Sequence, residues 1–214
     1  MRAMSKNQIT EGVIWKQLLF FFFPILLGTL FQQLYNTADT VVVGRFVGTK
    51  ALAAVGGSTG QIVNLVVNFF VGLASGATVI IARYYGARDR IKLNNALHTA
   101  IALSIVGGIV TAVAGILLTP FLLQMMNTPA DVIEGSTTYL RIYFAGIIFV
   151  FVYNIGSGIL RAVGDSKRPL YFLIVCCFLN IFLDILFVVY LKLGVKGAAF
   201  ATVISQAVSA LLVI

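Results

Sequence analysis

Long apolar stretches separated by short polar ones set the organisation of this chain. Six of them run over residues 18–43, 52–81, 97–118, 138–160, 169–191 and 197–214. An α-helix rises 1.5 Å per residue, so about 20 residues cross a hydrocarbon core of ~30 Å. Each stretch therefore predicts a membrane-spanning helix. The sixth runs to the last residue, Ile214, with no polar flank, and this pattern is that of a fragment of a longer protein.

Polar positions inside the stretches fall at helical spacing. Gln32, Asn36 and Asp39 sit at i, i+4 and i+7 on the first, with Tyr35 four residues before Asp39. Gln61, Asn64 and Asn68 sit at i, i+3 and i+7 on the second, Asn180 and Asp184 lie four apart on the fifth, and Thr202, Ser205, Gln206 and Ser209 line the sixth. Four helices are thus predicted to carry a wet or hydrogen-bonded face. For a single amide or hydroxyl, an interhelical hydrogen bond is explanation enough. The two carboxylates need more. Asp39 and Asp184 are the only acids within the stretches. A charge at bilayer depth costs about 2.5–3.5 kcal/mol on insertion scales, so each is retained with a partner, a proton or water. A proton or sodium site is the natural reading.

Composition agrees with the pattern. Of the 214 residues 60% are hydrophobic and 10% charged, with a mean hydropathy of +1.01, against about a quarter charged in a soluble domain. The net charge of +8 does not imply nucleic acid, because the basic residues fall between the apolar stretches. Arg2, Lys6 and Lys16, then Arg83, Arg88, Arg90 and Lys92, then Arg161, Lys167 and Arg168 lie on one side. Arg45, Lys50, Lys192 and Lys196 lie on the other, and Arg141 near that side's end of the fourth helix. The positive-inside rule then places the N-terminus in the cytoplasm of a multi-pass plasma-membrane protein. The N-terminus shows no cleavable signal peptide, and Met4 is an alternative start. Thr128 and Pro129 are expected to cap and open a short interfacial helix.

Other patterns carry less. Gly56-Gly57-Ser58-Thr59-Gly60 matches G-x-S-x-G but lacks a preceding strand and a histidine partner. The sole histidine, His98, opens the third stretch as an interface residue, and the adjacent Cys176 and Cys177 make neither a disulfide framework nor a metal site. Gly48-Thr49-Lys50 lacks the ending of a phosphate loop. Gly44 and Gly48, Gly56 and Gly60, and Gly72 and Gly76 form G-x-x-x-G pairs, expected to let helix backbones approach.

Three segments resemble one transporter family. Ala38-Asp39-Thr40-Val41-Val42-Val43-Gly44, continuing to Ala51-Leu52-Ala53-Ala54-Val55-Gly56, is similar to the first helix and loop of multidrug and toxic compound extrusion (MATE) transporters. Leu160-Arg161-Ala162-Val163-Gly164-Asp165, ending at Pro169, resembles their cytoplasmic L-R-x-x-G-D-x-x-x-P signature. Gly197-Ala198-Ala199-Phe200-Ala201-Thr202 is similar to their sixth helix. The resemblance implies an all-α membrane fold of twelve helices in two lobes, with residues 1–214 as the first six-helix lobe and the C-terminal lobe missing from this chain. It implies no enzyme and no cofactor. The activity expected is efflux of small cationic or amphipathic drugs from the bilayer or cytoplasm, in exchange for H+ or Na+, by alternating access. Asp39, Asn180, Asp184 and Thr202 match the family's ion or proton cluster, with Na+, if used, at Asp39, Asn180 and Asp184. Gln32, Tyr35, Asn36, Gln61, Asn64, Asn68 and Gln206 are the candidate lining of the substrate cavity. Pro24 is a candidate flexing point of the first helix. The pattern departs at Ile185, where many relatives carry proline, and this leaves the shape of the fifth helix open. A flippase of lipid-linked sugars would carry basic residues in the cavity, and an intramembrane aspartyl protease would carry Tyr or Gly before its acids. The stripes show neither. A single lobe has nothing to rock against, so the chain alone is not expected to transport.

Overall fold

The computed structural model describes residues 14–214, and every regular element among them is helical. Arg2, Lys6 and the alternative start at Met4 lie outside the described residues. The order is α1 (Ile14–Phe46), α2 (Thr49–Gly56), α3 (Ser58–Gly86), α4 (Arg90–Met125), α5 (Ile133–Ala145), α6 (Ile147–Ala162), α7 (Lys167–Asp184), a π-helical segment (Ile185–Tyr190) and α8 (Val195–Val213). Leu18–Phe46, Thr49–Gly86, Arg90–Met125, Lys167–Tyr190 and Val195–Val213 are each long and apolar enough to cross a membrane, and α5 with α6, bent by 49° at their junction, makes a sixth if the pair is one span.

Helices outrun the apolar stretches where local chemistry supports them. α4 begins at Arg90 because Asp89 precedes it, and the Asp89 carboxylate accepts a hydrogen bond from the Lys92 amide at 3.1 Å. That amide, with the Lys92 ammonium, holds the Asp89 carboxyl below its usual range. At the far end α4 continues through Pro120 to Met125. The interfacial helix expected at Thr128 does not form. Pro129 instead opens a turn, its carbonyl accepting from the Val132 and Ile133 amides at 3.1 Å, and α5 starts directly at Ile133. The turn already delivers the chain to the span, so no residues remain for a separate helix.

Large apolar side chains face outward along the spans; Phe20, Leu65 and Leu117 are each more than 70% exposed. The surface suits lipid as its solvent. Inside, α8 is the central helix, packed against α5, α6 and α7, with Ala198, Ala199 and Ala201 fully buried. α1 packs on α7, on α2, on α8 and on the π-helical segment, whereas α3 and α4 pack on α6 and on each other.

Close approach depends on glycines other than the G-x-x-x-G pairs. A Cβ on Gly146, at the α5–α6 bend, would lie 2.4 Å from Val203 Cγ1 of α8. One on Gly197 would lie 3.0 Å from the Phe187 backbone in the π-helical segment. The expected pairs do not act this way. Gly56, Gly72 and Gly76 have nothing within 4 Å of an added Cβ, Gly60 meets only its near neighbour Val55, and Gly44 meets Leu52 at ordinary distance. Gly48 is required for its backbone, at φ +113°, between α1 and α2. Spacing alone selected these pairs, while contact depends on what stands opposite.

Candidate functional site

The α7 helix presents Asn180 and Asp184 one turn apart on its packed face, and both are fully buried. α1, packed on α7, brings Asp39, which is 6% exposed, and α8 brings Thr202, which is 5% exposed. The Asp39 and Asp184 carboxyl groups are thus brought into one buried cluster within electrostatic reach of each other. Three of the four residues hold unsatisfied atoms. Asp39 Oδ1, both polar atoms of Asn180 and both carboxylate oxygens of Asp184 have no hydrogen-bond partner among the described residues. Neither acid enters an ion pair there. Thr202 donates its hydroxyl to the Ala198 carbonyl at 3.1 Å, and its oxygen can still accept.

Five orphaned polar atoms in one buried cluster are unusual, since a buried donor or acceptor without a partner costs about 1–3 kcal/mol. The donor set is oxygen-rich and of mixed charge. Such a set suits a proton shared between acids or a hard monovalent cation, both of which supply what the orphaned oxygens lack. No group of three or more His, Cys, Asp or Glu side chains is arranged to hold a metal among the described residues.

Aromatic hydroxyls surround the cluster. Tyr139 and Tyr143 of α5 are buried with rings 6.3 Å apart and 10° from parallel. Tyr139 lies near Asp39 and against Thr202. Gln206 Nε2 donates to the Tyr35 hydroxyl at 3.4 Å, tying α8 to α1. Sequence reasoning missed Tyr139 and Tyr143. Their signal is four-residue spacing in the fourth span, the same period that marks Asn180 and Asp184.

The backbone changes type at the cluster. Asp184 is the last residue of α7, and beyond it the chain turns as a π-helix, with the Leu191 amide donating to the Leu186 carbonyl at 2.9 Å. The span therefore leaves regular α geometry without a proline at position 185. π-turns inside helices recur at functional sites.

The candidate cavity residues are divided between places. Tyr35 and Gln206 join the buried cluster. Gln32 and Asn36 on α1, and Gln61 and Asn64 on α3, are exposed. Asn68 is exposed and lines a groove between α3 and α4. α1 and α3 do not pack on each other, so the described helices do not bring their polar stripes into one enclosed pocket. Pro24 is buried within α1.

Comparison with known proteins places the same features in context. A family model, MatE, matches residues 24–186. A probable multidrug resistance protein YpnP of Bacillus subtilis (strain 168) is 36% identical over 206 residues, covering 96% of this chain and 46% of that protein. A probable multidrug resistance protein NorM of Thermotoga maritima is 28% identical over 97% of this chain and 45% of its own length. Among solved structures, an outward-facing multidrug resistance MATE transporter of the MOP superfamily superposes with a TM-score of 0.89 at 31% identity, over 99% of this chain and 47% of that one. A MOP superfamily transporter from Pyrococcus furiosus, described as having a binding pocket of reversed polarity, superposes with a TM-score of 0.91, also at 31% identity and over 99% and 47%. The chain thus spans about half the length of the relatives it matches.

Proposed function

Because the chain belongs to the MatE family, we propose that it forms the ion-coupling lobe of a multidrug exporter that exchanges cationic or amphipathic drugs for H+ or Na+. The observation that carries this reading is the set of five unpartnered polar atoms on Asp39, Asn180 and Asp184. Asp184 and Asp39 take the proton or cation, Asn180 and Thr202 supply neutral oxygens, and Tyr139 supplies a hydroxyl at the edge of the cluster. Binding neutralises two acids that otherwise repel one another across the α1–α7 contact, so α1 packs differently in the loaded and empty states. Pro24, which removes one backbone hydrogen bond inside α1, is where the helix would yield.

In this reading a second lobe of similar size packs beside the one described, and the exposed Gln32, Asn36, Gln61 and Asn64 face the drug in the cleft between them, whereas Asn68 lines the groove between α3 and α4. The assembly lies in the plasma membrane with its N-terminus in the cytoplasm, as the distribution of basic residues directs. Rocking of one lobe against the other opens the cleft to alternate sides.

The test is ethidium efflux from proteoliposomes holding the full-length protein, under an imposed proton gradient or an imposed sodium gradient. Efflux under one gradient, reduced to background by Asp184→Asn and by Asp39→Asn, is the expected result and identifies the coupling ion. Gradient-driven efflux that survives both substitutions would remove the two acids from the mechanism.

A further inference from the structure

α3 and α4 do not close against one another along their whole length. Between them runs a groove of about 860 Å³, whose walls include Gly72, Gly76 and Leu103 and whose loop end includes Tyr84, Lys92 and Asn95. The glycines help to keep it open, since a Cβ built on Gly72 or Gly76 meets nothing within 4 Å. From Lys92 to Leu103 the groove follows about eleven residues of α4, or ~16 Å of helix. On α3 the lining runs from Asn68 to Tyr84, about sixteen residues or ~24 Å, so the groove opens beside the α3–α4 loop and reaches past the middle of a ~30 Å hydrocarbon core.

Charge at the loop end is mostly positive. Arg83, Arg88, Arg90 and Lys92 flank the α3–α4 loop against a single acid, Asp89, and of these Lys92 lines the groove itself. Asp89 pairs with the Lys92 ammonium at 3.2 Å, and the three arginines enter no ion pair among the described residues. A basic mouth above a long apolar trough is complementary to an anionic lipid, headgroup at the loop and acyl chain along the helices. A cationic amphiphile of the kind proposed as cargo would meet the wrong charge.

We propose that this groove holds one anionic phospholipid of the adjoining leaflet, its phosphate taken by the basic residues at the mouth and one acyl chain laid along Gly72 and Gly76. The site is separate from the Asp39–Asp184 cluster and does not depend on the exchange reading.

Native mass spectrometry of the full-length protein tests it, with dioleoylphosphatidylglycerol or dioleoylphosphatidylcholine added to the detergent-purified sample. One phosphatidylglycerol is expected to stay bound with about a five-fold preference over phosphatidylcholine, the size of one cation contact near a membrane surface. Gly72→Leu/Gly76→Leu fills the trough and loses that lipid, while Lys92→Glu keeps a bound lipid and removes the preference. Lys92→Glu reads the headgroup contact even if the leucine pair fails to fold. Equal retention by the parent and the leucine variant would overturn the proposal, as would equal affinity for both lipids or displacement of the lipid by inorganic phosphate alone. Recovery of no lipid would also overturn it, the result if another part of the polypeptide or a second copy covers the groove.

Discussion

Replacing Asp184 by asparagine is expected to raise the thermal stability of the full-length protein in sodium-free buffer at about pH 8. Asp184 is fully buried, both of its carboxylate oxygens lack partners, and Asp39 stands nearby with the same charge. Asparagine keeps the size of the side chain and removes the charge. Relief of an uncompensated buried charge is worth about 2 kcal/mol on the scale of buried groups left unpaired. A chain of this size shifts its melting temperature by ~2–4 °C per kcal/mol, hence by about 4–8 °C, and a protein twice as long by about half that. Scanning fluorimetry of the purified protein reads the shift. Where sodium is the coupling ion, a hundred-fold excess over Kd stabilises the parent by about 2.7 kcal/mol and leaves Asp184→Asn unchanged. A variant that melts below its parent without sodium would mean that a partner already compensates Asp184, and the inference from its orphaned oxygens would fail.

Other outcomes follow from single contacts. Gly146→Leu is expected to cost about 1–3 kcal/mol by overpacking, because even a Cβ there would press on Val203 at 2.4 Å, whereas Gly76→Ala is expected to be neutral or slightly stabilising in a thermal melt. Asp165→Ala should destabilise the start of α7 by about 1 kcal/mol, since its carboxylate accepts from the Lys167 and Arg168 amides at 3.2 and 3.1 Å; Asp165→Asn should lose much less, and equal losses on unfolding would refute the cap. Lys50→Gln breaks an exposed 3.5 Å pair with Asp131 and should change stability by less than about 0.5 kcal/mol in a thermal melt. Tyr139→Phe keeps the stacked ring and removes a hydroxyl beside Thr202; we expect a normal melt with weakened ion-driven efflux, and full efflux would remove Tyr139 from the site.

The helical membrane class was legible because it rests on length and polarity alone. Six stretches long enough to span, with basic residues between them, admit little else. The acids were legible too, since Asp39 and Asp184 stand out in apolar surroundings. Features that depend on what lies opposite in space were not. Gly146 is one glycine among twenty, and only the nearness of Val203 gives it a role. The π-helical segment has no marker in Ile185-Leu186-Phe187-Val188-Val189-Tyr190, residues that serve equally well in an α-helix. Tyr139 and Tyr143 looked like ordinary aromatics until α5 placed one of them beside Asp39 and Thr202. The Thr128–Pro129 signal correctly marked a change of direction, but a turn satisfied it.

The π-helical segment after Asp184 also bears on how such a span tolerates changes in its own length. A π-turn accommodates one residue more than the α-turn it replaces, so deleting one residue between Ile185 and Tyr190 would return the backbone to regular α geometry instead of shearing the helix. The turn itself would absorb the change, and Asn180 and Asp184 before it would keep their register against α1 and α8. Single-residue insertions and deletions are normally forbidden in a buried membrane helix, because each turns the remaining side chains by about 100°. Here the chain has a point at which its length is free to drift while the carboxylate stays in place.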